Sequence, residues 1–247
     1  MLNSDTRTLL VNLADRYETA DFIVGDPSWF MHQVKGKLNQ EAMAFIASCL
    51  SYGSRKQFMP KIEWFLTQSA GQVDHWVRSG LWRTCVPDDA SRCFYRLYTF
   101  HHIHQLLNAY EQIMADHGSL GEMVDRQATD ALTAIQAICR AFALHGSTGV
   151  IPKDASSACK RVCMFLRWMV RENSPVDLGL WAHFIHRRTL IMPLDTHVLS
   201  QSCRLGLLNS KTASMSAARR LTQVLAEVFH DDPLRGDFAL FGYGVNN

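Results

Sequence analysis

The stretch Ser156–Asn173, SSACKRVCMFLRWMVREN, carries the clearest structural signal in the chain. Its apolar residues recur every three or four positions, which is the spacing of one face of an α-helix. The same spacing runs through most of the 247 residues, whereas the alternation typical of strands is nearly absent. Glycines follow many of these periodic runs, as they do at the ends of helices. The sequence therefore predicts an all-α protein.

The periodic runs and their stop signals place the predicted helices along the chain. They lie at about 4–18, 39–52, 58–69, 72–79, 99–117, 129–145, 156–172, 177–187, 196–205, 215–229 and 233–241. Periodicity is poor in 81–98, so no helix is predicted there. There is neither an internal repeat nor a long linker, and we expect a single helical domain over 1–247 in two lobes.

Composition excludes several classes of protein. Hydrophobic residues make up 47% of the chain and charged residues 19%, which excludes a disordered chain, a coiled-coil rod and a low-complexity polymer. The longest apolar runs fall short of the roughly 20 residues that a membrane span needs. The first residues, MLNSDTRTLLVNLADRY, are typical of an amphipathic helix and not of a signal peptide. We therefore expect a soluble cytoplasmic protein.

The formal net charge of +2 conceals an uneven distribution. Residues 153–220 contain 11 Lys and Arg against 4 Asp and Glu, a local net charge of +7. A basic segment on a nearly neutral protein is typical of a localised site for a polyanion. Ordinary variation of surface charge is the alternative interpretation.

The seven cysteines are irregularly spaced and include no C-x-x-C pair. This pattern argues against a zinc site, an iron–sulfur cluster and a disulfide scaffold. His183 and His186 lie one helical turn apart, but no carboxylate completes an H-E-x-x-H motif, and a chance cluster explains them better. We therefore predict neither a metal nor another cofactor.

Lys160 stands early in the predicted helix 156–172, for which Ser156 or Ser157 is a candidate N-cap. The positive end of the helix dipole should increase the share of neutral, nucleophilic amine at this lysine. One stripe of the helix carries Lys160, Met164, Arg167 and Arg171, with Arg161 beside it. A solvated basic face is the alternative interpretation of this stripe.

A second motif follows in 187–207, RRTLIMPLDTHVLSQSCRLGL. Pro193 ends an apolar run, and Asp195 is predicted to cap a short helix that Gly206 closes. Capping alone would explain the aspartate, but a carboxylate held at a helix start is also well placed to act at a cleft. One residue can fill both roles.

Together, the early lysine and the downstream PLDTHV segment resemble the helix-hairpin-helix DNA glycosylase superfamily, which includes endonuclease III-like and 8-oxoguanine glycosylases. The resemblance implies a two-lobed helical glycosylase-like fold, with its hairpin and catalytic segment at about 147–206. It maps the Schiff-base lysine onto Lys160 and the catalytic aspartate onto Asp195. The chain is also similar to an uncharacterised bacterial family, known as a domain of unknown function, within that superfamily. This similarity rests on CKRVCMFLRWMVR, LIMPLDTHV, DFALFGYGV, Asp26–Pro27 and SCLSYGSRKQF.

Three departures from the superfamily pattern stand out. The interval between the lysine and the aspartate is wider than usual, and the surplus of about 173–188 resembles the archaeal 8-oxoguanine glycosylase branch. The usual glycine-x-glycine hairpin turn is replaced by Asp154–Ala158, so the hairpin is glycine-poor. The four-cysteine cluster loop of endonuclease III is absent, and no iron–sulfur centre is implied.

The resemblance implies a base-excision repair glycosylase with AP lyase activity, which acts on a flipped damaged base such as 8-oxoguanine. Its expected partner is double-stranded DNA with a damaged base, bound by a monomer in the cytoplasm at the nucleoid. Lys153, Arg161, Arg167 and Arg204 are candidate phosphate contacts. Met164 would pack against the extruded base or in the core. The alternatives are a non-catalytic nucleic-acid-binding protein on the same fold, with Lys160 as a phosphate contact, and a helical interaction module.

Overall fold

The computed structural model describes residues 2–147, 149–210 and 212–246. Within them helices dominate, and strands are confined to a single two-stranded hairpin. The all-α prediction is confirmed. In chain order the elements are α1 (Ser4–Tyr17), α2 (Lys37–Leu50), α3 (Arg55–Gln68), α4 (Val73–Arg78), β1 (Cys93–Tyr95), β2 (Tyr98–Thr99), α5 (Phe100–His117), α6 (Leu120–Gln127), α7 (Ala131–Leu144), α8 (Lys160–Val170), α9 (Thr196–Arg204), α10 (Met215–Ala226) and α11 (Arg235–Asn246).

Contacts divide the chain into two compact units. The first unit contains Met1–Gly25, Asp130–Leu132 and Ala155–Asn247, and the second contains Asp26–Thr129 and Thr133–Asp154. The predicted hairpin and catalytic segment at 147–206 therefore crosses a unit boundary near residue 155. Lys160 and Asp195 both belong to the first unit.

The second unit is built around α2, in which every residue from Glu41 to Leu50 is buried. Phe45 of this helix stacks on Phe142 of α7, with ring centroids 4.9 Å apart. It also contacts Tyr110 of α5 at 4.8 Å. An apolar helix that is buried on all sides needs such neighbours on each face, and α2 is therefore the centre of this core.

The first unit packs α1 against α11. Phe22, which follows α1, makes edge-on contacts with the rings of Phe238 and Phe241 at 4.8 and 4.9 Å. Gly242 lies directly under the ring of Tyr17, where a Cβ atom would overlap the ring. Through α11, this packing fixes the position of Asp237, which belongs to the candidate site described below.

The helix predicted at 177–187 is wrong. The backbone there forms turns, followed by a short 3-10 helix at Arg187–Thr189. The amides of Leu178 and Trp181 donate to carbonyls of the last turn of α8, at 2.8 and 2.7 Å. Gly179 adopts a positive φ of 65°. In a helix that starts at 177, the Trp181 amide would bond to the carbonyl of residue 177, but here it bonds to the end of α8, and the positive φ of Gly179 interrupts helical geometry.

Two elements were absent from the sequence prediction. α6 follows Ser119, whose hydroxyl accepts the Glu122 amide, and the spacing Ser-x-x-Glu is itself a signal for a helix start. The buried Glu41 carboxylate of α2 also accepts the amides of Leu120 and Gly121, at 3.1 and 3.2 Å. Except for Thr99, the β-hairpin falls in the stretch 81–98, for which the sequence made no prediction.

Candidate active site

Lys160 is the first residue of α8, four residues after the predicted helix start. The cap is Cys159 in the left-handed conformation, with φ 46° and ψ 35°, so the predicted caps Ser156 and Ser157 are wrong. The Ser157 hydroxyl instead accepts the Cys159 amide at 3.4 Å. A left-handed non-glycine residue costs about 1–2 kcal/mol, and this turn fixes the point from which the Lys160 side chain leaves the helix.

Asp195 is the N-cap of α9, as predicted. Its Oδ1 accepts the amides of His197 and Val198 at 3.0 and 2.9 Å. Two amides on one oxygen hold the carboxylate in a single orientation. The other oxygen, Oδ2, is therefore directed by the cap and remains available for a second interaction.

That second interaction is with Lys160. The Lys160 Nζ atom lies 3.9 Å from Asp195 Oδ2, and the two side chains are 30% and 40% exposed. The distance is within the range of an ion pair and longer than a hydrogen bond. An amine beside a fixed carboxylate, both open to solvent, can pass a proton to that carboxylate and then act as a nucleophile.

Asp237 of α11 interacts electrostatically with this pair, and sequence reasoning missed it. Its side chain is 15% exposed and pairs with Arg167. Burial raises the pKa of the Asp237 carboxyl, and the nearby Asp195 carboxylate raises it further, whereas Arg167 and Lys160 lower it. Asp237 lies in the DFALFGYGV run, where an acid that opens an apolar helix was the available signal.

Arg167 and Arg171 depart from the predicted basic face. Arg167 is 4% exposed and contacts Asp177 at 3.2 Å as well as Asp237. Arg171 is 1% exposed and pairs with Glu18, Asp177 and Asp232. A buried guanidinium with two carboxylate partners has no surface to offer a phosphate, and the predicted phosphate contact at Arg167 is therefore wrong.

The other predicted contacts differ in exposure. Arg161 is partly exposed beside Lys160, and Arg204 is exposed on α9, where it lies 5.6 Å from the ring centre of Tyr243. Lys153 is exposed and belongs to the second unit. Met164 is only 8% exposed, which fits the alternative of core packing.

No group of three or more His, Cys, Asp or Glu side chains in the described part of the chain could hold a metal ion. None of the cysteines forms a disulfide among the described residues, and burial raises the pKa of the Cys163 thiol. Among the described residues, no helix is long and apolar enough to cross a membrane. The charged groups that the structure places at the candidate site are the Lys160 amine and the Asp195 and Asp237 carboxylates.

The fold and the site define an all-α protein with a lysine–aspartate pair at the starts of two helices. The model of the family of proteins of unknown function DUF2400 matches residues 26–246, and the chain belongs to this family. The matched range contains Lys160, Asp195 and Asp237. Neither a curated protein nor a solved structure matches the chain.

Proposed function

We propose that the protein is a DNA glycosylase with AP lyase activity on a helix-hairpin-helix glycosylase-like fold. The observation that supports it is the 3.9 Å separation of Lys160 Nζ and Asp195 Oδ2 on two helix starts of one unit. A Schiff-base mechanism needs an amine nucleophile, a group that accepts its proton, and access for the substrate. Lys160 is the proposed amine nucleophile and Asp195 the proposed proton acceptor. The partial exposure of both side chains gives the substrate access.

The proposed reaction starts when the damaged nucleotide leaves the base stack. Asp195 accepts a proton from the Lys160 ammonium. The Lys160 amine attacks C1′, the C1′–N bond breaks, and the base leaves with the bonding electrons and takes the proton held by Asp195, whose carboxylate then stabilises positive charge on the sugar. The C1′–O4′ bond breaks next, O4′ takes a proton from the attacking nitrogen, and a protonated imine forms. Loss of a proton from C2′ then breaks the C3′–O bond and expels the 3′ phosphate.

The proposed substrate is duplex DNA that contains an oxidised purine, chiefly 8-oxoguanine. The cations proposed to contact phosphates are Arg161, which is partly exposed, and the exposed Arg204 and Lys153. Arg167 no longer belongs to this set, since its charge is neutralised inside the protein.

Borohydride reduction with duplexes containing 8-oxoguanine, uracil or an abasic site tests the proposal. We expect a covalent adduct with the wild-type protein, none with Lys160→Ala or Lys160→Arg, and an undiminished yield with the exposed control Lys35→Ala. Lys160→Arg keeps the positive charge but cannot form the imine, so it separates a nucleophile from a phosphate contact. Salt-dependent duplex binding with no adduct on any lesion would favour the non-catalytic nucleic-acid-binding alternative. An adduct that survives Lys160→Ala would refute the assignment of the nucleophile.

A further inference from the structure

A second cationic surface lies in the second unit, where the β1–β2 hairpin meets the start of α3. The Tyr95 hydroxyl of the hairpin donates to the carbonyl of Tyr52, just before α3. The Arg96 guanidinium lies over the Tyr52 ring, 4.8 Å from its centre. Gly53 leaves room for it, since a Cβ atom there would overlap the guanidinium. We call the surface formed by Tyr52, Arg96 and Leu97, together with the exposed Lys56 in the first turn of α3, the hairpin surface.

The two segments that form the hairpin surface contain cations and no carboxylates. Residues 51–61 carry three Lys or Arg residues and 91–100 carry two. Arg55 is paired with Asp26 at 3.4 Å. Lys56 and Arg96 have no carboxylate partner among the residues that the structure describes. The charge of Arg55 is therefore offset by Asp26, whereas those of Lys56 and Arg96 are not offset by a carboxylate in the described part of the chain.

The hairpin holds an exposed apolar side chain in a fixed position. Phe94, Tyr95 and Tyr98 are buried and anchor both strands. Between them, the side chain of Leu97 is 75% exposed at the tip. Arg96 precedes it with φ 52°, in the left-handed region that favours glycine. Glycine would adopt this backbone conformation without strain. The presence of arginine at position 96 therefore indicates that its side chain has a role which glycine could not fill.

We propose that the hairpin surface binds duplex DNA, with Lys56 and Arg96 on phosphates and Leu97 in the minor groove. The choice of DNA as the ligand rests on the proposed function. Binding of DNA by the hairpin surface does not, however, require the glycosylase or lyase reaction at Lys160. Apolar side chains inserted at base steps are a known mode of groove binding. A two-residue tip fits a groove about 6 Å wide, whereas a folded protein partner needs a contact of about 800 Å² on each side. The Tyr52 ring holds Arg96 in place, which reduces the entropy lost on binding.

Binding of an undamaged duplex, measured by fluorescence anisotropy over a range of salt concentrations, tests the inference. In the double variant Lys56→Ala/Arg96→Gly, the slope of log K against log salt should decrease in magnitude by about 1.8, because each phosphate contact contributes about 0.9. Glycine at 96 relieves the left-handed strain and preserves the turn. The matched control is Lys37→Ala/Arg126→Ala, which removes two exposed cations elsewhere in the same unit and should leave the slope unchanged.

The apolar contact has its own pair of variants. Leu97→Ala should weaken duplex binding about tenfold, with the salt slope unchanged, because it removes apolar area and no charge. The control is Leu144→Ala, whose side chain is 77% exposed and lies at the end of α7. It should bind as the wild type does.

The outcomes separate this inference from the proposed function. If no lesion gives a borohydride adduct but the Lys56/Arg96 slope falls as expected, the hairpin surface stands and the lyase falls. If adducts form while the hairpin variants bind like their controls, the hairpin inference is overturned and the lyase stands. Tighter binding of a single strand of the same length, or no duplex binding by the wild type at low salt, would also overturn the inference.

Discussion

The two ends of α8 place the same kind of residue in opposite environments. At its start, Lys160 is 30% exposed, and its Nζ atom lies 3.9 Å from Asp195 Oδ2. Near its end, Arg171 is 1% exposed and is enclosed by Glu18, Asp177 and Asp232. Burial works to lower the pKa of Arg171, but the surrounding carboxylates raise it well above its ordinary value. Arg171 is therefore a buried structural residue, whereas Lys160 is accessible to a substrate.

The largest expected effect comes from breaking the buried end. Arg171→Ala leaves three carboxylates without their shared cation and should lower the free energy of unfolding by about 3–5 kcal/mol. Urea unfolding measures it. Arg188→Ala is the control, since its guanidinium is 60% exposed and 3.8 Å from Asp231, and it should cost less than about 1 kcal/mol. An Arg171 variant as stable as this control would mean that the buried network does not hold α8.

Asp237 pairs with Arg167, one helical turn before Arg171, and its contribution to stability should depend on pH. Its pKa is raised above the ordinary 3.8, chiefly by burial. The native state therefore binds more protons than the unfolded state between these two pKa values, and this contribution to stability falls as the pH rises through that window. Asp237→Asn should remove it, so the difference in unfolding free energy between wild type and variant should change across the window. An identical pH dependence of the two proteins would contradict the raised pKa.

Asp195 has a local and a chemical role, which two substitutions separate. Asp195→Ala removes the cap of α9 and should cost about 1 kcal/mol, whereas Asp195→Asn retains an oxygen for the two amides and should cost less. Both should slow formation of the borohydride adduct, because neither accepts the Lys160 proton. Ser119→Ala removes the cap of α6 at a similar cost in stability and should leave the adduct unaffected. If Asp195→Asn formed the borohydride adduct at the wild-type rate, Asp195 would act only as the cap of α9.

The smallest effect on stability is expected at Lys160 itself. An exposed pair at 3.9 Å contributes little, and Lys160→Ala should change the free energy of unfolding by less than about 1 kcal/mol. Full loss of the adduct without loss of stability would sharpen the contrast with Arg171. A destabilisation above about 2 kcal/mol, measured by urea unfolding, would instead give Lys160 a structural role.

Several errors of sequence reasoning have a common physical origin. Arg167 and Arg171 lie on a polar stripe that periodicity assigns to solvent, yet their partners Asp237 and Glu18 are 70 and 153 residues away. The segment 177–187 has helical spacing, but its amides bond to the end of α8. The burial of the two arginines and the turns at 177–187 both depend on residues more than one helical turn away. A local sequence pattern therefore does not reveal them.

The sequence by itself determined the all-α class, the lysine in the first turn of α8 and the aspartate cap of α9. These features depend on interactions within about four residues, namely helical periodicity and capping. Only the tertiary structure decided which cations are buried, that Asp237 joins the site, and that Lys160 and Asp195 come within 3.9 Å. The physical reason is that burial and long-range charge pairing depend on the packing of α1, α8, α9 and α11, which brings together residues that are distant in the chain.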